Sequence, residues 1–290
     1  MAYRGIGKHV AALKTFGHVL SLDPNQWPAK YLAADIQRSI GLLEPAIESL
    51  EDLLLEKPDE LGVIITLAES RLASARANLR SGQRQHATSQ LFSAMDDTLI
   101  ILKSGKGARA AWKLVADTAS ELGKLPAVDG DGSQRSEELL RSYLVILREQ
   151  SIDSKMSAST YQVTTSNLEE SISTLAHQAF LVLATVAFQA RLIHDNANSL
   201  TYGAAWLDLG VALHHLRKTP FVSSEEQGKA VIDASLACFR EALKGYPRNP
   251  LYWNALGVVA FEASPKLCQH AFIRAAEYSP RVCHISLPQS

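Results

Sequence analysis

The stretch from Asn249 to Pro280 constrains this chain more than any other, because its spacing asks for two short helices packed closely against each other. It reads Asn249-Pro250-Leu251-Tyr252-Trp253-Asn254-Ala255-Leu256-Gly257-Val258-Val259-Ala260, and twelve residues later Phe272-Ile273-Arg274-Ala275-Ala276-Glu277-Tyr278-Ser279-Pro280. Gly257 and Ala275 are small enough for two helix backbones to approach, while Trp253, Leu256 and Phe272 fill the seam between them. Asn249 caps the first helix with Pro250 in its first position, and Pro280 stands where the second helix cannot continue. One such pair cannot bury its own apolar face, so the rest of the chain must supply stacked neighbours.

The spacing Trp253, Leu256, Gly257, then Phe272, Ala275, Pro280, resembles the tetratricopeptide (TPR) repeat. The same signature recurs at Trp206, Leu209 and Gly210, with Phe239 and Ala242 in a second helix that ends before Pro247, and Trp112 opens a further first helix. The fold expected is all-α, a TPR-type right-handed superhelix of about six or seven irregular helix pairs. Pro58 follows Pro24 by 34 residues, one repeat period, with Ala33 and Ala34 in the Leu-Gly places and Ala46, Leu50 and Leu53 in the second helix. Projecting the same grammar back from Pro24 places Phe16 and Ala12 on a second helix and Tyr3 at the end of a first helix that would begin before Met1. The chain is therefore expected to be a piece of a longer product.

A third pair is expected from Leu61 to about Arg80 and from His86 to Leu102, its helices or its Ser81-Gly82 turn about seven residues longer than a standard repeat. Helices are also expected over Gln134 to Arg148 and Ser166 to His194, with capping boxes at Ser166/Glu169 and Ser223/Glu226. The organisation that follows is TPR pairs over 1–127, the first truncated; an irregular helical insertion over 128–198 with a polar loop at 128–133; TPR pairs over 199–280 interrupted at 218–229; and a disordered tail over 281–290.

With 47% hydrophobic residues and a formal net charge of -1, the chain can bury a large core and has no global attraction for nucleic acid or anionic membrane. Cys238, Cys268 and Cys283 show no paired or metal-type spacing, which points to thiols in a reducing compartment, cytosol or nucleus. The apolar run Ala179 to Phe188 is far below the roughly 18 residues that span a bilayer, so no membrane partner is expected.

No catalytic constellation emerges, and no enzyme activity, metal or cofactor is expected. Asp129-Gly130-Asp131-Gly132-Ser133 invites a calcium loop, but Gln134 and Leu140 stand where an EF-hand needs Gly and Glu. Ser104-Gly105-Lys106-Gly107 lacks the remaining residues of a phosphate-binding loop and reads as a helix break. His214 and His215 point about 100° apart on a helix and cannot chelate one metal, so they read as partly exposed helix-end residues. The basic residues Arg71, Arg76, Arg80, Arg84, Lys103, Lys106 and Arg109 form either a local polyanion-binding face or a solvated helix surface, and interleaved aromatics for base stacking are missing. By repeat register, Leu207, Val211, Asn254 and Val258 face an inner groove, while Trp206 and Trp253 pack within the scaffold.

TPR proteins that clamp a chaperone's C-terminal carboxylate use Lys and Asn one and five residues after the Trp position. Here those places hold Leu207 and Val211, Asn254 and Val258, Lys113 and Asp117, and Tyr31 and Asp35, so that clamp is absent. Tyr252 to Ala260 followed by Cys268-Gln269-His270-Ala271-Phe272-Ile273-Arg274, together with Trp112 to Asp117 and Ala205 to Gly210, resembles the central region of the large TPR subunit of the superkiller complex. That resemblance implies a non-catalytic cytoplasmic scaffold that holds a DExH-type RNA helicase and WD40-repeat subunits and acts with the exosome in 3′-to-5′ mRNA decay, RNA being involved only indirectly. A generic TPR adaptor of another complex and the TPR arm of a truncated enzyme are the alternatives, and flanking sequence would separate them.

Overall fold

The computed structural model describes residues 8–126, 131–155, 162–195 and 201–279, and every regular element among them is helical. The chain divides into two compact units, Met1–Leu122 and Gly123–Ser290.

The first unit holds α1 (His9–Leu22), α2 (Trp27–Ser39), α3 (Leu43–Glu56), α4 (Leu61–Arg80), α5 (Arg84–Lys103) and α6 (Ala108–Leu122), each packed on the next. The turns between partners are tight. Gly41 and Gly82 adopt φ of 87° and 82°, and the residue after each donates its N–H back to the helix, Leu42 to Gln37 O and Gln83 to Asn78 O. That left-handed turn is one a Cβ would strain. Helices α4 and α5 are 20 residues each against 13 and 14 for α2 and α3. The extra length of this pair therefore lies in its helices, while the Ser81-Gly82 turn stays short.

Ala34, Ile47, Leu50, Leu53, Val63 and Leu67 form the core joining α2, α3 and α4, with Trp27 and Tyr31 packed against it. Ala34 stands in the small-residue place of the repeat and is wholly buried. Polar ties cross the same helices: Tyr31 and Thr66 share a hydroxyl hydrogen bond of 3.0 Å, and Ser74 Oγ donates to Glu44 at 2.7 Å. Tyr3 lies outside the described residues.

The second unit holds α7 (Asp131–Glu149), the short α8 (Ile152–Lys155), α9 (Thr165–His194), α10 (Tyr202–Leu216), α11 (Glu225–Gly245), α12 (Pro250–Ala260) and α13 (Pro265–Tyr278). Helix α9 has 30 residues, about 45 Å, and packs against both α7 and α10. Helices α10/α11 and α12/α13 are the two regular pairs, and α11 also packs on α12. Three local expectations are corrected. The polar stretch from 128 does not run as a loop to Ser133, because α7 already begins at Asp131; 127–130 lie outside the described residues.

The capping boxes sit elsewhere as well. Thr164, not Ser166, caps α9 with Asn167 as its reciprocal partner, and Ser224, not Ser223, caps α11 with Gln227. In both cases an amide replaces the expected Glu as the acceptor reaching back to the cap N–H, and the cap residue is the last one with extended backbone. The 218–229 insertion is consequently a loop only as far as Ser224; its remainder is the start of α11.

Candidate partner-binding surface

Two seams in the second unit set the geometry of its surface. A Cβ built on Gly210 would lie 2.8 Å from the Phe239 ring, and one on Gly257 would lie 2.8 Å from the Phe272 ring. Each glycine thus admits the phenylalanine of its partner helix, three residues before an alanine, Ala242 or Ala275, that is itself buried. Ser235 Oγ donates to Gly210 O at 2.7 Å and ties the first seam. Leu209, Phe239 and Leu256 are buried at their cores. Phe272 remains partly exposed.

Trp206 and Trp253 are partly buried and pack on the cluster formed by Ile232, Phe239, Tyr252, Leu256 and Val259. Trp253 Nε1 donates to Pro247 O at 2.7 Å, so this indole braces the turn that Pro247 opens. Asn249 accepts from Leu251 N–H, and Ser264 caps α13 ahead of Pro265. In the first unit Trp112 is wholly buried on α6. Pro280 lies outside the described residues.

The residues assigned to a groove do not all behave alike. Val211 and Val258 are 38% and 40% exposed, whereas Leu207 and Asn254 are partly buried and Leu207 packs on the cluster. The structure adds Leu251 on α12 and Phe261 just past its end, 57% and 68% exposed, which continue the face of Asn254 and Val258. Their spacing from Val258, seven residues before and three after, was the available signal; both fall outside the repeat signature and so escaped it.

His214 is not a partly exposed helix-end residue. It is buried, its Nδ1 has no partner among the described residues, and burial together with Lys218, His215 and Arg217 pushes its pKa down to about 4. Arg217 in turn pairs with Glu262. On α9, the buried Arg191 pairs with Asp208 of α10 at 2.6 Å.

The basic stretch of the first unit divides in the same way. Arg71 lies between Asp97 of α5, at 2.5 Å, and Glu51 of α3, at 2.7 Å, and Arg76 pairs with Glu121 at 3.0 Å. These arginines are committed to carboxylates of their own unit, while Arg80, Arg84, Lys103, Lys106 and Arg109 are exposed. Burial pushes the Asp97 carboxyl up to about 6 despite Arg71. Lys113 and Asp117, standing where a carboxylate clamp would need Lys and Asn, pair with each other at 2.5 Å.

Among the described residues no group of three His, Cys, Asp or Glu could hold a metal, and no helix is long and apolar enough to cross a membrane. Burial pushes the Cys238 thiol up to about 12 and keeps it unreactive.

The chain is similar to superkiller protein 3 of Schizosaccharomyces pombe, 23% identical over 261 residues that cover 89% of this chain and 18% of that protein. It is 25% identical to superkiller complex protein 3 of Homo sapiens over 264 residues, covering 89% and 15%, and 22% identical to tetratricopeptide repeat protein 37 of Xenopus laevis over 280 residues, covering 94% and 16%. The chain thus spans about a sixth of the length of the curated relatives it matches. No protein-family model matches it. The crystal structure of yeast Tom70 aligns with 97% of this chain and 61% of that one at 15% identity and a TM-score of 0.29. The names of the curated relatives carry both the repeat class and the complex to which the sequence motifs pointed.

Proposed function

We propose that this chain is a non-catalytic TPR scaffold segment serving a superkiller-type complex in the cytoplasm, where it holds a DExH-type RNA helicase and WD40-repeat subunits while the exosome degrades mRNA from the 3′ end. The observation that carries this reading is the similarity to superkiller proteins across 89% of the chain, far beyond the two strong signatures. The surface chemistry agrees with a binding role: the apolar side chains Val211 on α10, Leu251 and Val258 on α12, and Phe261 just past its end stay exposed instead of closing into the core. Such side chains on the first helices of repeat pairs present a docking face for a partner, with Leu207 and Asn254 at its base.

The test is purification of the tagged protein, expressed from its own locus, with mass spectrometry of what accompanies it. Recovery of a DExH helicase together with a WD40-repeat protein is expected. A stable set of companions lacking both would overturn the assignment to this complex and leave a TPR adaptor of another assembly.

A further inference from the structure

The insertion at 218–229 interrupts the first of the two regular pairs of the second unit, and insertions in repeat proteins map to one face that is often used for binding. Here it borders two clefts. One, with a volume of about 390 Å³, lies between α9 and the loop, lined by Asn167, Glu170 and Gln178 on α9 and by Phe221, Ser223 and Gln227 opposite. That volume falls within the range of pockets that take a small ligand or a single long side chain.

The groups lining this cleft decide what it can accept. Asn167 and Gln227 are engaged in the capping boxes of α9 and α11, and the N3 N–H of each helix is taken by its own cap, Thr164 or Ser224. Glu170 is the one charged residue among the described residues of the lining. Among the described residues neither the Glu170 carboxylate nor the Gln178 amide has a hydrogen-bond or ion-pair partner, and the Phe221 ring is partly buried beside them. A free carboxylate, a free amide and an aromatic ring together match a guanidinium, which donates in its plane and stacks on its face.

On the other side of the loop a groove of about 870 Å³ has Val222 and Ile232 in its floor. Glu225, Glu226, Asp233 and Glu262 line it against Lys229 and Arg217, the latter already paired with Glu262. Carboxylates outnumber cations on this side too, which repels a nucleic-acid backbone and favours a basic chain.

We propose that the 218–229 insertion is a docking site for a basic segment of a partner protein, with one arginine side chain seated in the cleft against Glu170, Gln178 and Phe221 and neighbouring basic residues lying over the Glu225, Glu226 and Asp233 groove. This deepens the scaffold reading by naming a partner chemistry at a site apart from the α10/α12 apolar face.

The test uses the whole 290-residue chain and fluorescein-labelled, end-blocked peptides of alternating Gly-Ser-Arg, with Glu-for-Arg and citrulline-for-Arg counterparts and a uridine oligonucleotide, read by anisotropy. Saturable binding of the Arg peptide alone is expected, weakened about tenfold or more by Glu170→Gln and by Phe221→Ala, in keeping with loss of one charge-assisted contact. Glu138→Gln, an exposed carboxylate on α7, should leave it unchanged. Absence of saturable binding, equal binding of the Glu or citrulline peptide or of the oligonucleotide, or insensitivity to both cleft substitutions would overturn the proposal. Circular dichroism of each variant confirms that a loss is not unfolding. Arg-peptide binding that survives while no helicase co-purifies would refute the complex and spare the site; the converse would refute the site alone.

Discussion

Replacing Gly210 with alanine sets two effects of known sign against each other. In an open helical position the added methyl removes a glycine's conformational penalty and stabilises by about 1 kcal/mol. At Gly210 that methyl would meet three atoms of the Phe239 ring at 2.8, 3.0 and 3.1 Å, and the ring is wholly buried with nowhere to retreat. Restoring ordinary contact distance requires the α10/α11 seam to open by more than half an ångström, an overpacking cost of about 1–3 kcal/mol that exceeds the propensity gain. The expected result is a net loss of up to about 2 kcal/mol in urea unfolding followed by circular dichroism. Gly17, in the middle of α1 with nothing within 4 Å of a built Cβ, is the internal control: Gly17→Ala should stabilise. Gly257→Ala should fall between the two, since the Phe272 ring it meets is partly exposed and can swing outward. Phe239→Leu removes the ring atoms nearest Gly210, so in that background Gly210→Ala should lose most of its cost, a coupling of about 1 kcal/mol or more. If Gly210→Ala stabilises like Gly17→Ala, or costs the same in both backgrounds, the seam does not rest on this contact.

The Arg71 clamp predicts that Arg71→Met destabilises the first unit by about 3–5 kcal/mol at neutral pH, because Asp97 is left buried without its cation, and that adding Asp97→Asn recovers most of the loss; equal stability of the single and double variants in urea unfolding would show that the burial of Asp97 is not the cause. For His214, the folded pKa near 4 lies below the unfolded value of 6.5, so the unfolded chain binds the proton first and stability is lost as pH falls through that window. Lowering pH from 7 to 5 should cost the second unit about 2 kcal/mol, and His214→Gln should flatten that dependence; a slope unchanged by the substitution in unfolding titrations would refute the assignment. Asp97 has the opposite sign, since its folded carboxyl is raised from 3.8 to about 6 and protonates before the unfolded one, so acidification removes a penalty in the first unit.

The helices were legible wherever apolar periodicity was backed by a small residue at the seam. Trp253 with Gly257 and Trp206 with Gly210 named their partners Phe272 and Phe239 directly, because a glycine in a helix interior is costly unless something occupies the space it leaves. The long α4/α5 pair was legible in outline from Ile64, Leu67, Leu91 and Leu99, but sequence could not assign its extra length to helix or turn. The caps at Thr164 and Ser224 do not show the Ser-x-x-Glu spacing that points to Ser166 and Ser223, because Asn167 and Gln227 make the same reciprocal bond in place of a Glu. His214 reads as a helix-end residue because its neighbours in sequence, His215, Arg217 and Lys218, are polar, and that local composition carries no sign that its own ring is buried. The exposed Leu251 and Phe261 belong to no signature, since the repeat pattern marks the buried seams and not the exposed positions.

The irregular middle is held in more than one way. Helix α9 is too long to form a repeat with one partner; it buries an apolar stretch from Ala179 to Phe188, admits Gly123 against Leu181, and adds polar ties to its neighbours. Arg191 pairs with Asp208 of α10, and Asp153 of α8 accepts from the N–H and hydroxyl of Thr165 at the start of α9. The Gln189 amide donates to the Val163 carbonyl at 2.9 Å and accepts from the Val163 N–H at 3.3 Å, and so fixes the entering chain along the helix. A steric seam repeats because the same pair of residues solves it each time, and so it appears in sequence as a period. A buried polar tie requires each donor to find its one acceptor, and that requirement leaves no period to read. The polar ties added around α9 are thus one reason why the repeat register is hard to read there, beside the regular seams of α10 to α13.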